Sequence, residues 1–328
     1  MKRFFLCSVL LAASLALSSG KDGRISPRNA EAVLSESKLR ADIEFLSDTL
    51  CTGRKTGTPG SVLASFWIGN MFSSIGLEKV SDGSWYSSFP VSDGITGRNV
   101  IGLLPGSSRK YVIIAAHYDG IGTLDGVLYP GADSNASGVS AMVRLSEMLS
   151  YMARLDGPFK KNVLFVALDA KLHSMEGSQH LYKLLRYGSL KDPVTGRSIK
   201  LEDVELFVNL DQLGSTLAPL HRWRKSYLIM LSENGSPLRA ALEKAAEENS
   251  LAGMELAFSY YYSNDFTRLF YRRVSDQRPF LEGGIRSVMF TSGITMNNNK
   301  PGDNALSLNY TVLKDRIRLI YYWLIPSL

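Results

Sequence analysis

Short, continuously apolar runs alternate with longer stretches whose apolar residues recur at helical spacing. "RNVIGLL", "KYVIIAAHYD", residues 163–168, "ELFVNLD" and "RSVMFTS" are strand-like runs bounded by Gly, Pro, Ser or Asp. Between them lie helical patterns. Leu39, Ile43, Leu46 and Leu50 mark a helix within 27–50, and "VLASFWIGNMFSSIGL" a second over 62–77. Val139, Met142, Val143, Leu145 and Leu149 mark a third over 138–153, and further helices are predicted near 177–187, 236–248 and 311–323. Strands without polar alternation are buried on both sides, so the pattern predicts an α/β sheet covered by helices on both faces. No internal repeat or low-complexity linker interrupts it, which predicts one domain over residues 21–328.

The N-terminus follows a different pattern. Lys2 and Arg3 precede an apolar run from Phe4 to Leu17, then Ser18, Ser19 and Gly20. That is the layout of a signal peptide over residues 1–20, too short to span a bilayer comfortably. Cys7 lies inside the apolar run, which argues against a lipid-anchored form. The expectation is export to the periplasm or the outside of the cell, with no transmembrane segment. Removal of Lys2 and Arg3 takes the formal charge from +6 to +4, too mild for a dedicated nucleic-acid binder. Cys51 is then the one remaining cysteine, so a disulfide framework is excluded. It sits in a Gly/Thr-rich loop with no histidine nearby and reads as structural rather than catalytic.

The polar residues at strand exits carry the chemistry. His117 and Asp119 close "VIIAA", Asp133 follows in "GADSNASG", and Asp211 closes "LFVNL". Residues at the C-terminal ends of different strands can converge in one crevice. An imidazole and carboxylates are suitable zinc ligands. Any one acid alone reads better as a helix cap or turn residue; the ordered set does not.

In that set the chain resembles the secreted co-catalytic zinc aminopeptidases, the family that also contains the glutaminyl cyclases. The resemblance runs from about residue 40 to the C-terminus, through "GRKTGTPGS", "GRNVIGLLPG", "YVIIAAHYDGIG", "GADSNASGVSAM", "VLFVALDA", "EGSQH", "VNLDQLGS", "SDQRPF" and "MFTSG" in order. It implies a mixed, mostly parallel central sheet. It implies that His117 and Asp211 bind one zinc, that Asp133 bridges two, and that Asp119 orients His117. After "FVALDA" the family carries two consecutive glutamates, a general base and a ligand of the second zinc. Here those positions are Lys171 and Leu172. The family's late histidine ligand, in a His-Thr-Pro-x-Asp motif, is replaced by Asn299 in "NKPGD".

Both private ligands of one zinc and the base are therefore missing together. His117, Asp133 and Asp211 remain as a residual first site for one ion at most. A dication about 5 Å from a protonated lysine meets a repulsion of roughly 6–7 kcal/mol at an effective dielectric of 20. Lys171 is accordingly expected to replace the lost metal charge among the carboxylates. His173 is close enough in sequence to reach a metal, but a lone histidine there reads as hydrogen-bonded or solvent-facing. His180 and His221 have no ligand context, and Glu176 reads as a helix N-terminal acid. Tyr260 to Tyr262 read as pocket lining for an apolar side chain of a peptide, or as packing. No Gly-x-Ser-x-Gly elbow or phosphate loop is present. Two functions fit: a non-catalytic homologue that binds a peptide or protein partner in the old cleft, or a metallo-exopeptidase that uses a single zinc.

Overall fold

The computed structural model describes residues 25–328 except 81, 219–222, 225, 234–236 and 261. The expected signal peptide, His221 and Tyr261 lie outside the described residues.

The strands in chain order are β1 (Glu78–Lys79), β2 (Tyr86–Pro90), β3 (Thr96–Leu104), β4 (Tyr111–His117), β5 (Gly122–Leu124), β6 (Val127–Tyr129), β7 (Asn162–Leu168), β8 (Leu190–Lys191), β9 (Ser198–Ile199), β10 (Val204–Leu210), β11 (Tyr227–Leu231), β12 (Glu255–Ala257) and β13 (Ser287–Thr291). The main sheet runs β1-β3-β7-β4-β10-β13-β11-β12, with β2 also on β3. Its centre, β7-β4-β10-β13, is parallel throughout. The β3 side and the β11–β13 pairing are antiparallel, so the sheet is mixed around a parallel core.

That parallel centre explains the unbroken apolar runs. In β4, Val112, Ile114 and Ala116 pack into one core layer, and Tyr111, Ile113 and Ala115 into the other. β7 divides the same way. The larger layer is closed by α1 (Glu36–Leu46), α2 (Pro59–Ile75), α3 (Ser137–Asp156), α5 (Pro237–Glu248) and α8 (Tyr310–Leu324). The smaller is closed by α4 (Glu176–Arg186) and α7 (Arg278–Glu282). A further helix, α6 (Asn264–Arg272), packs its aromatic face beside β11 and β13. Among the described residues no helix is long and apolar enough to cross a membrane.

The first helical pattern is corrected at its end. Leu50 was expected on the apolar stripe of α1, but it is 68% exposed. The helix stops at Leu46, and Asp48 starts a separate turn by accepting the Leu50 amide at 2.8 Å. The sequence pattern also passed over β11, whose five residues are all buried. "YLIML" is rich in unbranched and γ-branched residues, which signal a strand less strongly than Val or Ile.

α1 and α3 are pinned by a buried ion pair. The Arg144 guanidinium donates to both oxygens of Asp42, at 2.9 and 3.0 Å, and Ser140 donates to Asp42 Oδ2 at 2.8 Å. Burial still raises the Asp42 pKa, although Arg144 pulls it down. Arg144→Leu strands that carboxylate and is expected to lower stability by about 3–5 kcal/mol. The double variant with Asp42→Leu is expected to recover most of the loss in equilibrium denaturation, since no charge is then left alone.

A candidate active-site crevice held by a lysine

Four strand exits meet at the C-terminal edge of the parallel centre. β4 ends on His117 and leads to Asp119, β7 leads to Lys171, β10 leads to Asp211, and β13 leads to the loop that carries Asn299 and Asp303. His117 Nδ1 lies 3.2 Å from the Asp119 carbonyl and 3.3 Å from Asp119 Oδ1. Both are acceptors, so Nδ1 carries the proton and Nε2 is turned toward Asp211 Oδ1, 3.5 Å away. The other Asp211 oxygen accepts a hydrogen bond from Lys171 Nζ. Asp119 Oδ2 accepts the Leu172 amide at 3.1 Å, which ties the two loops together. The result is a continuous chain, Asp119–His117–Asp211–Lys171. Lys171 closes it with its ammonium on Asp211, one of the residues for which the resemblance implied a ligand role.

Asp133 is held on the adjoining turn. Its Oδ1 accepts from the amides of Gly214 (2.7 Å) and Ser215 (3.2 Å) and from the Ser137 hydroxyl (3.1 Å). Oδ2 has no partner. Asp303 fixes the turn itself, its two oxygens accepting the amides of Asp133 and Ser134 at 2.7 and 3.0 Å. Gly131 opens the turn at φ +60, and a Cβ there would meet the Ser134 carbonyl oxygen at 2.5 Å, so a side chain is excluded twice over.

Several residues that serve the crevice were not singled out from sequence. Asp276, in "SDQRPF", is fully buried with neither oxygen hydrogen-bonded, and Lys171 is the strongest charge acting on it. Asn135 donates to the carbonyls of His117 and Leu210 and accepts the Gln212 amide, so it couples three of the loops. Arg54, completely buried, donates to the carbonyls of Leu46, Tyr118, Pro130 and Gly131. Arg316 does the same for Tyr227, Leu213 and Ser215. Asp276 and Asn135 stood inside motifs already quoted. Arg54 also stood inside a quoted motif and Arg316 inside a predicted helix, but their contacts are to backbone, which leaves no side-chain pattern to read.

The charges adjust to one another. Burial opposes the Asp211 carboxylate, but Lys171 and then His117 hold its pKa well below the usual range. Burial likewise opposes the Lys171 ammonium, and Asp211 followed by Asp276 keeps its pKa above the ordinary lysine value. For His117, burial and Lys171 favour the neutral ring, while Asp119 and Asp211 outweigh them and raise the pKa. Burial, then Asp303, pushes Asp133 up to about 7. Burial pushes Asp276 up to about 6 against the pull of Lys171 and His117.

A cavity of about 160 Å³ opens above this chain, lined by His117, Lys171, Leu172 and Asp211 on one side and by Tyr260, Phe270 and Ile294 among others on the other. Leu172 and Asn299, at the positions of the two missing ligands, stand together on its wall. Tyr260 is thus pocket lining, whereas Tyr262 is exposed. His180 is engaged elsewhere, 2.9 Å from the Ser87 hydroxyl and stacked on Phe89. No hydrogen bond or ion pair involves the His173 ring among the described residues. Glu176 is the first residue of α4, as expected. A separate cavity of about 610 Å³ lies at the opposite edge of the sheet near Val204, Arg286 and Ser287 and contains none of these residues.

Among the described residues His117 Nε2, Asp133 Oδ2 and Asp211 Oδ1 are buried without a hydrogen bond, although the first and last face each other at 3.5 Å. Yet among the described residues no three His, Cys, Asp or Glu side chains come together in a way that could hold a metal ion. Asp211 is already paired with an ammonium, and Asp133 has one oxygen saturated by three donors. The expected residual site of His117, Asp133 and Asp211 therefore does not fit zinc in this arrangement, because Lys171 supplies the positive charge.

With this geometry in hand, comparison places the chain. Residues 99–324 match peptidase family M28, and the chain belongs to that family. It is 26% identical over 204 residues to aminopeptidase YwaD of Bacillus subtilis, a match covering 60% of this chain and 36% of that protein. It is 27% identical over 183 residues to the alkaline phosphatase isozyme conversion protein of Escherichia coli, covering 50% of this chain and 48% of that one. The chain thus matches less than half the length of either relative. Among solved structures, it is similar to BSAP, a zinc aminopeptidase from Bacillus subtilis, with TM-score 0.68, 15% identity, and 89% and 95% of the two chains covered. It is equally similar to a Macrostomum lignano glutaminyl cyclase, with TM-score 0.69, 17% identity, and 94% and 93% covered. These two likenesses show a shared fold.

Lys171→Met is expected to destabilise the protein by on the order of 3 kcal/mol near neutral pH, because it leaves Asp211 without its counter-charge; the partial exposure of the lysine places this at the low end of the range for buried pairs. The lowered Asp211 pKa makes its contribution full above the unfolded value of 3.8 and lost as pH falls below it. The raised Lys171 pKa makes its contribution full below 10.5 and lost as pH rises beyond it. The destabilisation by Lys171→Met should therefore shrink in urea titrations run at progressively more acid pH below about 4.

Proposed function

We propose that this M28 protein no longer performs peptidase chemistry and instead binds a peptide or a protein segment in the former active-site crevice. One observation carries the reading: Lys171 Nζ bonds Asp211, at the position where the resemblance implies a general base. A protonated lysine cannot accept a proton from water, and general-base catalysis typically contributes 10²–10⁴-fold. Leu172 and Asn299 remove two further ligand positions. The N-terminal pattern of Lys2, Arg3 and an apolar run supports export, to the periplasm or beyond the cell. The apolar wall of the crevice supports a peptide rather than a nucleic acid as occupant.

The test is hydrolysis of aminoacyl-nitroanilide and dipeptide substrates, with and without added zinc. No turnover is expected in either condition. Zinc-dependent turnover that His117→Ala abolishes would overturn the proposal in favour of a single-zinc exopeptidase, the reading favoured by Asp133 Oδ2, which is buried without a hydrogen bond. Metal content gives a second check. The native chain is expected to purify without stoichiometric zinc. The triple variant Lys171→Glu, Leu172→Glu, Asn299→His restores two carboxylates and an imidazole and is expected to bind zinc, measured by elemental analysis after dialysis.

A further inference from the structure

The carboxylates around the crevice are committed inside the protein, and this bears on which part of a peptide can be held. Asp211 gives one oxygen to Lys171 and turns the other toward His117. Asp119 is fully buried against His117 and the Leu172 amide. Both Asp303 oxygens accept backbone amides. Asp133 spends Oδ1 on three donors, and Asp276 is sealed from solvent. Of these side chains Lys171 is the most exposed, keeping 16% of its surface in solvent, against 6% for Asp211 and 3% for His117. On the cavity lining an incoming α-ammonium group would meet a like charge and one carboxylate, Asp211, which already pairs with Lys171.

Beside the polar Ser134, Gln212, Ser275, Thr291, Asn298 and Asn299, the cavity has an apolar wall. Tyr260, Phe270, Val274, Met289 and Ile294 line it, and the exposed side chains of Leu172 and Val274 continue the apolar surface to the mouth. Its volume of about 160 Å³ leaves room for one medium-sized side chain. We infer that the crevice takes an apolar side chain of an extended polypeptide and does not read that polypeptide's α-amino group. Internal segments and blocked termini are then ligands as good as free N-termini. The inference rests on the peptide-binding reading above and narrows it: end-recognition was lost when Lys171 took the acidic partner.

Calorimetric titration of the full chain with trileucinamide and with N-acetyl-trileucinamide tests it. The two dissociation constants are expected to agree within about threefold. Triglycinamide should bind about tenfold more weakly or worse, having no side chain to bury. Val274→Asp, a change at a half-exposed rim position, should abolish binding of both leucine peptides while leaving the circular dichroism spectrum and melting temperature intact. Loss of about tenfold or more on acetylation would overturn the inference, and so would equal binding of the glycine peptide or no binding of either leucine peptide. Chromatography of the same samples for released leucinamide or leucine reports separately on the non-catalytic reading. Cleavage with acetyl-insensitive binding sinks the loss of chemistry alone, and acetyl-sensitive binding without cleavage sinks the present inference alone.

Discussion

Charge neutrality at the C-terminal edge of the sheet governs this molecule. A parallel sheet delivers its strand exits to one place, and here they deliver Asp119, Asp133 and Asp211, with Asp276 and Asp303 beside them. Buried carboxylates at such spacing repel and resist ionisation, as the raised pKa values of Asp133 and Asp276 record. Some cation must sit among them. In a zinc enzyme of this fold the metal would serve. In this chain Lys171 places an ammonium on Asp211, and because it comes on the loop that follows β7, that counter-charge is built into the backbone.

That substitution changes what the other residues can do. His117 is still presented like a ligand, its Nδ1 proton directed to Asp119 and its Nε2 turned inward. Asp133 is still cradled by the Gly214 and Ser215 amides, and Asp303 still shapes its turn. The scaffold around these residues is thus kept with Lys171 among them. The reason lies in what supports it: Arg54 and Arg316, each buried and each bonded to backbone carbonyls, clamp the loops. Each satisfies carbonyl groups that would otherwise be buried without a donor.

Where the polypeptide departs from the pattern of its hydrophobic residues, local hydrogen bonds win. Leu50 lies in phase with Leu39, Ile43 and Leu46, yet the Asp48 carboxylate captures its amide and ends the run. β11 reads poorly as a strand because Leu and Met fill it, and it forms because Phe290 and Met289 of β13 present a ladder for it to join.

The sequence by itself determined the layered α/β fold, the family framework, the set of strand-exit residues and the conflict that Lys171 introduces. All of these follow from local periodicity, or from residues standing in the wrong place within a recognisable motif. Tertiary structure decided the rest. It chose Asp211 over Asp133 as the partner of Lys171, set Asp276 behind that pair, and saturated Asp133 Oδ1 with donors from a loop some eighty positions away. It also left the Lys171 side chain more exposed than those of Asp211 and His117. Such outcomes depend on which oxygen faces which donor across separate strands, and that geometry exists only once the sheet has brought the exits together.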